Sequence, residues 1–323
     1  MPYTLRQLEY FIAAGETGSI TLASERIHIS QPSISTAISH LEKELGVQLF
    51  IRHHAQGLSL TPAGRDLLRE AKVLIAQAEG LYTLASETSG KVRGPLSLGC
   101  MVTLAPMLVP ELAQSFQTAF PATQVRHIEG NQEQLLEGLR RAEVDVAIAY
   151  DLHIPDDIVF KPLVGLPPHV VVSEAHPFAG QTAVSLRELV SEPMILLDLP
   201  LSREYFLSLF YDAGLQPLVV ARSAHQEVVR TMVANGYGYS IFNVRPRSNH
   251  ALDGRKLVRV RLAGTHRPMT IGTATLKQLR QSRLVEAFET HCRSFISESY
   301  IPGMVAPALE RTVRIRDKTK TAL

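Results

Sequence analysis

Apolar residues recur at helical spacing through roughly the first ninety positions, and from Gly94 onward short β-rich runs alternate with helical stretches. Leu5, Leu8, Phe11 and Ile12 share one face of a first helix, and a break follows at residues 15–19. Ala23, Ile27, Ile34, Ile38, Leu41 and Leu45 continue the pattern across a gap at residues 28–30, which predicts two short helices joined by a tight turn. The second opens at Ser30-Gln-Pro-Ser33, where a hydroxyl cap and a first-turn proline suit N–H groups that have no helical partner, and it stops at Gly46. Residues 57–60 read as a turn and strand, and Thr61-Pro62-Ala63-Gly64 opens a helix that runs to about Ser86. Along it Leu67, Ala71, Leu74, Ala78, Leu81 and Ala85 alternate at intervals of four and three, flanked by Leu68, Ile75 and Tyr82. That is a heptad seam, and it predicts homodimerisation through Leu67, Ala71, Leu74, Ala78 and Leu81, since no neighbouring apolar segment covers it.

Residues 96–100, 124–128, 144–149 and 169–173 read as strands, with amphipathic segments at 104–120 and 132–141 between the early ones, the alternation of a parallel sheet. The pattern then repeats, with strands at 194–197, 218–221 and 239–242, helices at 202–213 and 225–234, a strand at 269–276 and a helix at 282–296. Two consecutive βα blocks predict an α/β half of two lobes with a cleft between them. From about Ile301 the residues Arg311, Arg314, Arg316, Lys318 and Lys320 outnumber Glu310 and Asp317, which predicts a solvated basic tail.

Composition narrows the class. A chain of 323 residues with 45% apolar and 20% charged residues is long enough for two or more domains and excludes global disorder. Two cysteines, Cys100 and Cys292, form neither a disulfide framework nor a metal cluster. The first ten residues lack the apolar run of a signal peptide and no stretch is long and apolar enough to span a bilayer, so a cytoplasmic protein is expected, without membrane partner, cofactor or metal.

The helical pair around residues 19–46 has the form of a helix-turn-helix, whose second helix lies in the DNA major groove with small polar side chains outward. Gln31, Ser33, Ser35, Thr36, Ser39 and His40 supply that face; Gln can pair with adenine and a Thr methyl can pack on thymine. Residues 1–64 hold Arg6, Arg26, Lys43 and Arg52 against five Glu, so charge alone does not separate this unit from an ordinary helical hairpin.

Ser19-Ile-Thr-Leu-Ala-Ser-Glu-Arg-Ile27, Ser30-Gln-Pro-Ser-Ile-Ser35, Leu41-Glu42, Leu45-Gly46-Val-Gln-Leu-Phe50, Arg52 and Leu60-Thr-Pro-Ala-Gly64 together resemble the N-terminal signature of LysR-type transcriptional regulators. The resemblance extends to about residue 297 and includes His176-Pro177-Phe178-Ala179, a recurrent family turn. It implies a winged helix-turn-helix over 1–64, a linker and dimerisation helix over 65–93 and a two-lobed effector domain like periplasmic binding proteins over 94–297; the basic tail over 298–323 lies beyond it. It also implies that Gln31, Pro32, Ser33 and Ser35 open the recognition helix, that Arg52 reaches a phosphate beside the wing, and that the chain forms a dimer or tetramer on double-stranded DNA. Two departures stand out. Ser24 occupies the place of a second Ala after Ala23, and the wing, His53-His-Ala-Gln-Gly57, is about one residue longer than usual and lacks a second arginine.

The cleft is the second candidate site. Gly99-Cys-Met-Val-Thr103 joins a strand to a helix and offers the N–H groups after Cys100, through Met101 and Val102, with the Thr103 hydroxyl as first ligand contact. Asp198-Leu-Pro-Leu-Ser-Arg203 is the equivalent turn of the second lobe, where Ser202 would cap a helix and Arg203 clamp a carboxylate. Met101, Val102, Leu201 and Phe206 would hold an apolar part, and Tyr150 and Asp151 end a strand where a family crossover would lie, so that they line the pocket or cover a hinge. These donors converge on a small effector with an anionic group, a carboxylate. No His-Glu-x-x-His, Walker loop, nucleophile elbow or dinucleotide fingerprint occurs, so the sequence supplies no catalytic candidate. An exported solute-binding protein would share the lobes without the helix-turn-helix.

Overall fold

The computed structural model describes residues 3–53, 57–87, 92–278 and 281–307, and divides into two compact units, 1–91 with 140–143 and 92–139 with 144–323. The N-terminal unit packs α1 (Leu5–Thr17), α2 (Ile20–Ile27) and α3 (Gln31–Leu45), followed by a hairpin of β1 (Phe50–His53) and β2 (Gly57–Leu60) and by α4 (Pro62–Glu87). Each short helix begins on a side-chain cap: Thr4 with Gln7 in a reciprocal box, Ser19 accepting from Leu22 N–H, Ser30 accepting from Ser33 N–H. Leu8, Phe11, Ala23, Ile34, Ile38, Leu41 and Phe50 form the core. Gly64 admits α4 to it, because a Cβ there would stand 2.1 Å from Leu49 O.

The first turns of α4 correct the expected seam. Ala71 is 1% exposed, and Leu67, Leu68 and Ile75 pack on the same core. The helix restarts directly after β2, so the winged core supplies the apolar partner that periodicity alone does not reveal. Leu74 is 42% exposed. Ala78 is half-buried, and the side chains of Leu81, Tyr82 and Ala85 lie outside the described residues, as do wing residues 54–56.

The second unit holds two lobes. Lobe I begins with β3 (Gly94–Met101), α5 (Ala105–Ala119), β4 (Thr123–Gly130), α6 (Gln132–Arg140), β5 (Val146–Tyr150) and β6 (Ile158–Leu166). Lobe II follows as β7 (His169–Ser173), a 3₁₀ turn (Pro177–Gly180), β8 (Ala183–Val184), α7 (Leu186–Leu189), β9 (Pro193–Leu197), α8 (Ser202–Tyr211), β10 (Leu218–Ser223), α9 (Gln226–Ala234), β11 (Ser240–Phe242) and β12 (Leu257–Leu262). The chain then returns to lobe I as β13 (Met269–Leu276) and α10 (Arg283–Phe295).

The sheet of lobe I has the order β4-β3-β5-β13-β6, with β3 parallel to β4 and β5 but β13 antiparallel to β5 and β6. The expected parallel alternation thus gives way to a mixed sheet, because β13 enters from the lobe boundary toward which β5 runs. In lobe II, β11 and β12 lie antiparallel to β7, and the parallel pair β9–β10 joins them through a Met194–Tyr239 bridge. The lobes are connected at residues 167–168 and 263–268, not after Tyr150 and Asp151, since β5 is followed by β6 of the same lobe.

The C-terminal expectation also changes. Ile301, Met304 and Ala306 are buried, Val305 N–H donates to Arg245 O, and Pro246 pairs with Met304. Gly303 lies against Met107 of α5, so this segment ties lobe I to the 245–247 strip of lobe II instead of entering solvent. The basic residues 311–320 lie outside the described residues.

Candidate functional site

On α3, Ile34, Ile38 and Leu41 face the core, which turns Gln31, Pro32, Ser33, Thr36, Ser39 and His40 outward and leaves Ser35 half-exposed. The Ser30 hydroxyl meets Ser33 Oγ at 2.7 Å, so Ser33 is held in the first turn beside Gln31. Gln31, Pro32 and Ser35 line an open groove together with Ile20 and Ser24 of α2. Ser24 thereby joins the face; its substitution for the usual alanine was the sequence signal. Arg52 of β1 is exposed, with its guanidinium 3.5 Å from Ser39 Oγ, so wing and helix form one surface. His40 is partly engaged, as Gln7 Nε2 lies 3.2 Å from its Nδ1 and Glu44 3.8 Å from its Nε2. His53 Nε2 lies 2.7 Å from Ser59 Oγ, which ties it to the hairpin.

The scaffold beneath consumes several charges. Burial alone would raise the Glu16 carboxyl, but Lys72 and Arg26 hold it below its ordinary value, tying α1 to α4 and α2. Glu42 accepts from the N–H groups of Leu49 and Phe50 at 2.8 and 3.2 Å, fixing the chain between α3 and β1. The acidic excess of this unit is therefore partly internal, and the outer face of α3 is neutral and polar.

Between the lobes of the second unit, Thr103, Tyr150, Leu197, Ser202, Phe206, Gln226, Phe242, Asn243, Val244 and Met269 surround a small cavity of about 10 Å³. The lobes are thus nearly closed on each other. Four of the residues singled out in the sequence, Thr103, Tyr150, Ser202 and Phe206, are brought together here. Thr103 Oγ1 and Tyr150 Oη are 3.2 Å apart, and burial pushes the Tyr150 phenol up, so it stays a neutral hydroxyl. Gln132, wholly buried, positions that tyrosine by accepting from Tyr150 N–H and donating to the carbonyls of Tyr150 and Leu152.

Six predicted residues fall elsewhere. Cys100 and Met101 belong to β3 with side chains fully in the lobe I core, and burial pushes the Cys100 thiol up. Val102 packs on that core and its N–H donates to Gly130 O at 2.9 Å, so it is not free for an anion. Asp151 accepts from Thr270 N–H at 2.7 Å and from Arg267 at 3.0 Å, which pins the second crossover. Leu201 packs on the core with φ 65°, a left-handed kink that opens α8. Arg203 is drawn off by Asp198 and Glu204, each at 2.8 Å. Ser202 is the first residue of α8 rather than its cap; its buried Oγ has no hydrogen-bond partner.

Gln226, Asn243, Leu197, Phe242, Val244 and Met269 are the lining residues that sequence reasoning missed. Asn243 donates from Nδ2 to Leu166 O at 2.6 Å and to Tyr205 Oη at 3.2 Å, and Tyr205 in turn donates to Arg267 O at 2.6 Å. Burial raises the Tyr205 phenol to about 12 against the lowering effect of Asn243. One amide thus reaches the first crossover at Leu166 and, through Tyr205, the second at Arg267. The starts of α5, α8 and α9 meet the cavity at Thr103, Ser202 and Gln226, and no Asp, Glu, Lys or Arg lines it among the described residues. Such a site can take a small molecule whose polar end meets hydroxyls and helix N-termini.

Residues 5–65 match the bacterial regulatory helix-turn-helix protein model, lysR family, and residues 89–296 match the LysR substrate binding domain. Among solved structures, the chain is similar to HinK, a LysR family transcriptional regulator from Pseudomonas aeruginosa, at 39% identity and TM-score 0.62, covering 91% of this chain and 99% of that one. It is also similar to a full-length OxyR from Pseudomonas aeruginosa at 26% identity and TM-score 0.69, covering 90% and 97%. The HTH-type transcriptional regulator YvbU of Bacillus subtilis is 28% identical over 277 residues, 85% of this chain and 93% of its own.

Proposed function

The chain belongs to the LysR family of bacterial transcriptional regulators, which are DNA-binding proteins and not enzymes, and from that premise we propose a ligand-responsive regulator acting on promoter DNA in the cytoplasm. The observation that carries this reading is the outward polar face of α3 beside Arg52, the geometry of a helix that enters a major groove next to a phosphate contact. Gln31, Ser35 and Thr36 read base edges, Ser33 and Ser39 support the backbone approach, and Arg52 meets a phosphate. A homodimer, or each dimer of a tetramer, presents two such helices to an interrupted palindrome. Leu74 of α4 has apolar surface left for that pairing.

The effector is a small molecule bound between the lobes, anchored on Thr103 and Ser202. A carboxylate is favoured by the three helix starts and by the lack of an acidic side chain in the lining, although Arg203 and the Val102 N–H no longer contribute. Binding it requires the nearly closed lobes to readjust, and a ligand with unequal affinity for the two lobe arrangements shifts their balance.

The test is binding of the full chain to a promoter fragment and to random duplex of equal length. Preference for the promoter is expected, and equal affinity for both overturns the proposal.

A further inference from the structure

Three polar atoms are buried at the wall of the inter-lobe cavity without a hydrogen-bond partner: Ser202 Oγ, Gln226 Oε1 and Asn243 Oδ1. Ser202 and Asn243 are each 2% exposed. Buried polar groups are normally paired, so three orphans on one cavity wall mark where a ligand's polar atoms belong.

Asn243 is the most informative, because its orientation is settled by its surroundings. Its Nδ2 donates to Leu166 O, a carbonyl that can only accept, and to Tyr205 Oη, whose own hydrogen goes to Arg267 O. The remaining amide atom is therefore the oxygen, an acceptor. The hydroxyls of Thr103 and Tyr150 face each other, and among the described residues no Lys or Arg lines the cavity to donate to it. Gln226, the first residue of α9, adds a second unpaired acceptor.

A bare carboxylate brings only lone pairs. It suits the hydroxyls and helix starts, but it would leave Asn243 Oδ1 buried and unpaired. Resting on the reading of this cleft as the effector site, we infer that the effector carries a hydrogen-bond donor in addition to its carboxylate, as an amino or hydroxy acid does, and that Asn243 with Gln226 determines this specificity. The donor group meets Asn243 Oδ1 and Gln226 Oε1, and the carboxylate meets Thr103 and Ser202. Because the other end of the Asn243 amide contacts both crossovers, directly at Leu166 and through Tyr205 at Arg267, the same hydrogen bond places the donor on the hinge.

The test uses the full chain and three matched series: propionate, lactate and alanine; 3-phenylpropionate, 3-phenyllactate and phenylalanine; succinate, malate and aspartate. Within each series only one donor group changes. Calorimetric titration should show at least one hydroxy or amino member binding roughly 10- to 100-fold more tightly than its parent acid, the fold-change expected from pairing a buried acceptor. That preference should fall to about twofold or less in Asn243→Val or in Gln226→Met; Gln226 has no hydrogen bond within the protein through its Oε1, which keeps the test available if the hinge variant does not fold. Parent acids that bind as tightly as their donor-bearing partners, with binding weakened in Thr103→Val, overturn the inference and leave the cleft reading standing. A preference unchanged in Gln226→Met and in any folded Asn243 variant overturns it as well. A silent panel, or binding untouched by Thr103→Val and Ser202→Ala, removes the cleft reading and this inference with it.

Discussion

Replacing Leu74 with Glu separates pairing of two chains from folding of one. Leu74 is 42% exposed in the single chain, whereas Ala71, one helical turn earlier, is 1% exposed in the winged core. A fully buried leucine stabilises by about 1.5 to 3 kcal/mol, so the exposed fraction leaves about 1 kcal/mol per chain to be gained on pairing. Two copies in a symmetric interface make about 2 kcal/mol, so Leu74→Ala should weaken the dimer about 30-fold. Leu74→Glu goes further, because an unpaired carboxylate between two helices costs several kcal/mol at each site. The monomer, in contrast, receives Glu at a surface position and should melt within a few degrees of wild type. Ala71→Glu should behave oppositely and unfold the winged unit, since its charge enters a core with no partner. Sedimentation velocity across a dilution series, differential scanning calorimetry and promoter binding read the three variants. A Leu74→Glu protein that stays dimeric on dilution and holds promoter DNA as wild type does would refute the assignment of this surface to pairing.

On the DNA face, Gln31→Ala should lose about 1 to 3 kcal/mol of discrimination at one base pair, measured by competition with single-substituted operators. Arg52→Ala should weaken all sequences alike and reduce the slope of log affinity against log salt by about 0.9; an unchanged slope would exclude a phosphate contact. Acid should destabilise the effector unit through His169, whose imidazole is held well below its ordinary pKa by burial and by Arg245 and Arg259. The unfolded chain then binds a proton that the folded chain refuses, so stability falls as pH drops below about 6.5, and His169→Asn should flatten the melting profile between about pH 7 and 5. Deleting residues 298–323 uncovers the faces that Ile301 and Met304 bury, and thermal melting should report a loss of about 2 to 5 kcal/mol, where a solvated tail would leave no trace.

The local signals in the sequence were reliable where a single element carried them. Ser30, Pro32 and the Ile34, Ile38, Leu41 stripe define α3 and its outward face without help from elsewhere. Strands β6 and β12 escaped because Lys161-Pro162 and the arginines at 259 and 261 interrupt apolar alternation, and a register shift beside Gly272, where a Cβ would stand 2.4 Å from Lys161 O, accommodates the former. The cleft was half legible. Thr103 and Ser202 lie at helix starts, which sequence marks, but Gln226 and Asn243 reach the same wall as Ser202 from later elements of lobe II, and Met269 opens β13 after the second crossover. A signal for Asn243 was present: one amide in the apolar run Tyr239 to Val244 must find partners if that run is buried. Arg203 was misplaced although Asp198 and Glu204, which hold it, stood in the same turn.

The place of β13 between β5 and β6 sets an order of assembly during synthesis. Lobe II is one uninterrupted stretch from β7 to β12 and can form as it leaves the ribosome, whereas lobe I must wait for residues that follow it. Until then β5, buried at every position in the finished protein, presents an apolar open edge, and β6 has no strand to pair with. A chain released before Leu276 therefore carries a complete second lobe attached to an aggregation-prone half of the first, and β13 is the strand that turns two segments of nascent chain into a cleft.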